Sequence, residues 1–140
     1  MRLRAATLLL AILLSFACGK STDILTGPPQ TVTGTWIASV TANPADGSFA
    51  AGPFTATFTL SQSGAAVSGT FTTSEGASGT VSGSVSLHTF TFTMTQTVPC
   101  DGTFTGEGTI IDAWTQMSGG YSGSDSCAGT FSASFTATRA

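Results

Sequence analysis

Phe54-Thr55-Ala56-Thr57-Phe58-Thr59-Leu60-Ser61 alternates apolar and hydroxyl side chains at every position. The same alternation returns in Phe90, Phe92 and Met94 against Thr91, Thr93 and Thr95, and in Phe131, Ala133, Phe135 and Ala137 against Ser132, Ser134 and Thr136. A period of two puts each set on its own face of an extended chain, so these segments read as half-buried antiparallel strands. Thr, β-branched and polar, suits the solvent face of a pleated strand. No window after the first eighteen residues carries a helical period. The chain of 140 residues holds 26 Thr, 18 Ser and 17 Gly but only 11 charged residues. Such a composition excludes a coiled coil or helical bundle. A net charge of -3 argues against a nucleic-acid binder, which needs a basic patch. Ten Phe and two Trp argue against disorder.

Working outward from that stretch, the pattern predicts eight strands near Val32–Thr41, Phe54–Gln62, Ala66–Thr73, Gly79–Leu87, His88–Val98, Asp101–Ile111, Gln116–Ser122 and Cys127–Thr138. A short unit recurs along them: apolar or Cys, any residue, Gly, small, then aromatic or Val. Examples are Val67-Ser68-Gly69-Thr70-Phe71, Val81-Ser82-Gly83-Ser84-Val85 and Cys127-Ala128-Gly129-Thr130-Phe131. An inward Gly permits a bend or leaves room for a neighbouring side chain, and small closed barrels alternate small and large inward residues. Most connections are short and carry Gly, Ser or Asp, which favours a meander of hairpins. Ser122-Gly123-Ser124-Asp125-Ser126 reads as one such turn, and Thr41 to Pro53 as a long loop. The expectation is an all-β, eight-stranded antiparallel up-and-down barrel, whose closure removes the edges. A two-sheet β-sandwich fits the same pattern.

The N-terminus reads as an address. Arg2 and Arg4 precede an uncharged apolar run from Ala5 to Phe16, too short for a spanning helix of about 20 residues but suited to a secretory signal. Leu14-Ser15-Phe16-Ala17-Cys18 resembles the lipobox of bacterial lipoproteins, with Ser15 where that family usually has Leu. The resemblance implies cleavage before Cys18 and lipidation of its thiol. It divides the chain into residues 1-17 as lipoprotein signal peptide, 18-31 as lipid anchor and Pro-containing tether, and 32-140 as the β-barrel domain. The partner so implied is a membrane reached through the N-terminal lipid, and the location is the cell envelope, with Gly19 compatible with delivery to the outer membrane. The mature chain keeps two basic residues against seven acidic ones, a net charge of −5, so the lipid and not a charged patch is the anchor.

With Cys18 lipidated, Cys100 and Cys127 remain as a disulfide pair in an oxidising compartment. In a meander they precede strands six and eight, whose axes lie about 10 Å apart, whereas a disulfide needs Cα atoms about 4.4–6.8 Å apart. The bridge therefore requires the segments around Pro99 and Ser126 to fold over the barrel end.

Gly34-Thr35-Trp36 opens the first strand. It resembles the Gly-x-Trp opening of lipocalins, and avidin-like barrels begin similarly. The resemblance implies that Trp36 closes the barrel floor and that Arg139, at the end of the last strand, packs across it; the long first loop resembles the lipocalin lid. The Thr-Asp-x-x-x-Tyr signature of lipocalins does not stand where that family carries it, and the biotin-gripping polar residues of avidins have no counterparts here.

No catalytic constellation stands out. His88 is the single His and has no carboxylate within ten residues, so it reads as a solvated turn residue and not as the base of a hydrolytic triad. One His and two paired Cys argue against a zinc site, and the dispersed acids select neither a glycosidase pair nor a calcium loop. No metal, cofactor or catalytic residue is expected. The remaining candidate is the barrel interior, where eight strands leave space either filled by side chains or holding one small ligand. The candidate ligand-binding residues are Trp36, Phe58, Phe71, Phe92, Phe104, Tyr121 and Phe135. Two functions follow as expectations: non-enzymatic binding of a small apolar or amphipathic ligand, or a structural or protein-interaction module of the envelope with a side-chain-filled barrel.

Overall fold

The computed structural model describes residues 30–44 and 52–140. The signal segment, Cys18, nearly all of the tether and the middle of the long first loop lie outside the described residues. Eight strands follow one another: β1 (Gly34–Pro44), β2 (Pro53–Ser63), β3 (Ala66–Thr73), β4 (Ser78–Ser86), β5 (Thr89–Val98), β6 (Gly102–Ile111), β7 (Gln116–Asp125) and β8 (Gly129–Arg139). Each pairs antiparallel with the next, and β8 pairs with β1 from Trp36↔Arg139 to Pro44↔Phe131, closing the ring. That last ladder overturns the sandwich alternative, which would leave β1 and β8 as free edges.

Following the register from Gly34 through Leu60, Gly69, Val81, Met94, Phe104, Gly123 and Phe131 returns to β1 at Pro44, ten residues further on. This stagger tilts the strands against the barrel axis and sets the width of the interior. Small inward residues make the curvature possible. A Cβ on Gly83 would overlap the carbonyl oxygen of Thr91 on β5, and one on Gly119 would overlap that of Glu107 on β6. The strands therefore approach one another more closely at these points than side chains would allow.

Two differences from the sequence-based boundaries have simple causes. The strand expected to end at Ser122 runs on to Asp125, because Gly123 and Asp125 continue the inward parity and pair with Phe104 and Gly102. The turn therefore falls at residues 126–128, and the Ser122–Ser126 segment is mostly strand. The expected first strand begins two residues later, at Gly34, because Val32 turns beneath the barrel and is completely buried there.

The meander sorts its connections by end. The β1–β2, β3–β4, β5–β6 and β7–β8 connections share one end, here the open end. The β2–β3, β4–β5 and β6–β7 turns share the other with the start of β1 and the end of β8. The closed end is sealed by side chains and by the chain itself. Trp36 is 1 % exposed, and its Nε1 donates to the Val32 carbonyl at 2.8 Å. The Val32 amide donates in turn to Oε1 of Gln62 at 2.9 Å. Arg139 lies over Trp36 with its guanidinium carbon 5.0 Å from the ring centroid, and its Nη2 donates to the Thr31 carbonyl. Trp114, in the β6–β7 turn, is buried and packs against the His88 ring, tilted by 40°, with centroids 5.8 Å apart.

Candidate functional site

The two halves of the interior differ because large side chains are distributed unevenly along the strands. In the closed half Trp36, Leu60, Val81, Phe90, Phe92, Met117 and Phe135 converge, leaving a void of about 20 Å³. That space admits no more than one or two waters. Phe90 and Phe92 pack at 5.1 Å between centroids, and Phe92 meets Phe135 edge-on at 6.0 Å. In the open half the inward positions of β1, β3 and β4 carry Ala42, Thr73 and Gly79, and β2 contributes Ala56. These small residues leave a cup of about 620 Å³, within the range of small-molecule sites.

The cup wall is aromatic. Phe54, Phe58, Phe71, Phe104, Tyr121 and Phe131 line it together with Met94. Phe58 and Phe71 lie side by side on β2 and β3 at 6.2 Å, while Phe104 packs against Phe131 at 4.8 Å and meets Tyr121 edge-on at 5.9 Å. Tyr121 stands at the boundary between the halves, since it also contacts Phe135 at 6.5 Å. Burial disfavours its phenolate and pushes its pKa from 10.0 up to about 12, so the phenol is a neutral hydroxyl at physiological pH.

The polar groups gather at the mouth. Gln96 is buried, and its Nε2 donates to the Cys100 carbonyl at 3.0 Å and reaches Oδ2 of Asp125 at 3.5 Å. The other oxygen of Asp125 accepts the amides of Cys127 at 2.9 Å and Ala128 at 2.5 Å, which fixes the β7–β8 turn. Thr73 and the exposed Glu75 complete the polar rim on the β3 side. Cys100 and Cys127 are joined by a disulfide with Cα atoms 5.9 Å apart, and both line the cup. The separation of β6 from β8 is overcome because the β7–β8 turn leans toward Asp101, whose carbonyl accepts the Ser126 amide at 2.9 Å. Cys127 is thereby carried past the end of β7 to Cys100, and the bridge ties two mouth connections together.

Of the seven side chains expected to bind ligand, Phe58, Phe71, Phe104 and Tyr121 meet at the cup. Trp36, Phe92 and Phe135 are not brought there; they line the small void of the closed half. Trp36 and Arg139 are in contact at the floor. The seven candidates did not include Phe54, Met94 and Phe131, which the alternation had placed on the apolar face and which face the cup, or the rim residues Thr73, Glu75, Gln96 and Asp125. Their signal is position: all but the mid-strand Met94 lie near the open-end terminus of a strand, on the inward parity or in the adjoining turn.

No family model and no curated protein matches the sequence. Among solved structures, a redesigned β-barrel, mFAP1, bound to DFHBI superposes with a TM-score of 0.53 at 18% identity, covering 77% of this chain and 94% of that one. At that identity the likeness establishes a shared barrel fold and nothing finer.

Proposed function

We propose that this chain is an exported lipoprotein, anchored through Cys18 in the outer membrane of the bacterial envelope, whose barrel binds one small apolar or amphipathic molecule without catalysis. The observation that carries the binding function is the uneven interior: a packed floor beneath an aromatic cup of about 620 Å³. A barrel built only for stability gains nothing from leaving this half empty, since unfilled core volume costs stability. Burial of apolar ligand surface would supply about 25 cal/mol per Å², with the Tyr121 hydroxyl orienting the molecule. The mFAP1 barrel, bound to a small molecule, gives an instance of this fold used as a binder. The disulfide is in keeping with an oxidising compartment outside the cytoplasm.

Titration with the neutral fluorophore N-phenyl-1-naphthylamine tests the proposal. Saturable enhancement at one site per chain is expected. Ala56→Phe, which fills the cup from β2, abolishes it in a protein that still unfolds cooperatively. Absence of saturable binding, or equal binding by the filled variant, refutes the assignment.

A further inference from the structure

We infer that the cup selects organic cations: amphipathic molecules with an apolar body and a positively charged head. The inference rests on the binding function proposed above and names its ligand class. It comes from the distribution of charge along the barrel axis. Arg139 and His88 are the only basic side chains among the described residues. Both lie at the closed end, Arg139 stacked on Trp36 and His88 against Trp114. The mouth holds carboxylates instead. Glu75 and Asp125 line the cup from opposite sides, one in the β3–β4 connection and one at the end of β7, and Asp101 lies beside Asp125 in the adjoining groove.

The wall favours the same charge. A cation over the face of an aromatic ring is attracted by the ring quadrupole, most strongly where water is excluded. Six aromatic rings surround the space below the mouth, and Tyr121 contributes a neutral phenol. An anionic head would face Glu75 and Asp125 with no basic side chain among the described residues to offset them. Gln96 does not supply a free donor of that kind, because its amide nitrogen donates to both the Cys100 carbonyl and Oδ2 of Asp125. Asp125 Oδ1 is held by two backbone amides, which orients the carboxylate without a counter-charge. An amine or quaternary ammonium head at the rim, with its apolar body on Phe58, Phe71 and Phe104, satisfies both parts of the site.

Isothermal titration of the purified protein with three probes sharing one tail tests this: decyltrimethylammonium, decyl sulfate and decyl maltoside, each below its micelle concentration. At low salt the cation is expected to bind about tenfold more tightly than the sulfate, with the gap narrowing severalfold in 0.5 M salt, since exposed carboxylates are screened within a Debye length of about 10 Å at 0.1 M. Glu75→Gln, an exposed change outside every strand, is expected to reduce the ratio of cation to sulfate affinity severalfold at low salt. Asp125→Asn adds a second reading where it folds; where it does not, Glu75→Gln and the salt series decide. Equal affinities for cation and sulfate, or tighter sulfate binding, overturn the cation preference and leave the binding function standing. Failure of all three probes overturns both.

Discussion

Replacing Arg139 by Met should weaken the barrel at its floor and leave the cup alone. The substitution keeps an unbranched apolar side chain of similar reach and removes the guanidinium. Two interactions are lost. One is the stack on Trp36 at 5.0 Å, a cation–π contact of about 0.5–2 kcal/mol. The other is the charged hydrogen bond from Nη2 to the Thr31 carbonyl, about 1.5–3 kcal/mol in a partly buried setting. Because Arg139 is neither fully buried nor free of water, the lower halves of both ranges apply, giving about 2–3 kcal/mol. With a urea slope of about 1–3 kcal/mol per M, the unfolding midpoint should fall by about 1–2 M. Tryptophan fluorescence reports the transition directly, since Trp36 and Trp114 both sit at the closed end. Arg139→Lys, which keeps the charge but not the planar fork, should recover part of the loss. N-phenyl-1-naphthylamine affinity of the folded variant should equal that of the parent, because the cup occupies the other half. A midpoint shift below about 0.3 M would refute the floor contact as a source of stability. A matching fall in probe affinity would refute the division of the interior.

Other expectations follow from the same geometry. Replacing Cys100 and Cys127 together with Ala, or reducing the parent, should cost about 3–4 kcal/mol, measured by urea unfolding with and without reductant, from the 27-residue separation of the bridged positions. Gly83→Ala should prevent folding or lower the midpoint severely, because its methyl meets the backbone of β5 and not a side chain that can move; a parent-like circular-dichroism melt would contradict this. Absorbance titration at 295 nm should place the single Tyr near pH 12. The folded value lies above the unfolded value of 10.0, so stability should be level below pH 10 and fall between pH 10 and pH 12, and Tyr121→Phe should flatten that decline. Intact mass of the full chain expressed in a bacterium should show cleavage before Cys18 with an added diacylglycerol, and Cys18→Ser should abolish both.

The fold was legible because its signal is local. Thr and Phe at strict alternation report a face without reference to the rest of the chain, and eight such runs with short connections leave few closed arrangements. The turn near Ser126 was misplaced for an equally local reason. Ser, Gly and Asp are turn residues by propensity, yet Ser124 and Asp125 fall on the ladder opposite Thr103 and Gly102, and pairing overrides propensity. The site was harder to read, because whether an inward Phe fills space or borders it depends on the residues facing it across the barrel. Phe92 is packed because Phe90 and Phe135 crowd it, whereas Phe71 borders the cup because Ala56, Thr73 and Gly79 lie around it. Neither fact can be read from the strand that carries the Phe. The stagger that brings Phe131 beside Pro44 also decides which residues share a level, and it emerges only when the ring closes.

The segment that crosses beneath the floor gives the barrel a direction. Thr31 and Val32 are fastened to Arg139, Gln62 and Trp36, so whatever precedes them in the chain departs from the closed end. With the anchor proposed at Cys18, twelve residues separate the lipid from Thr31, a reach of about 40–45 Å when fully extended. An anchor there would attach at the floor and leave the mouth at the far end of the barrel. A cup so oriented has no direct path to the leaflet holding its own lipid. On the binding function proposed above, cargo would enter and leave on the aqueous side, as with a ladle held by its base.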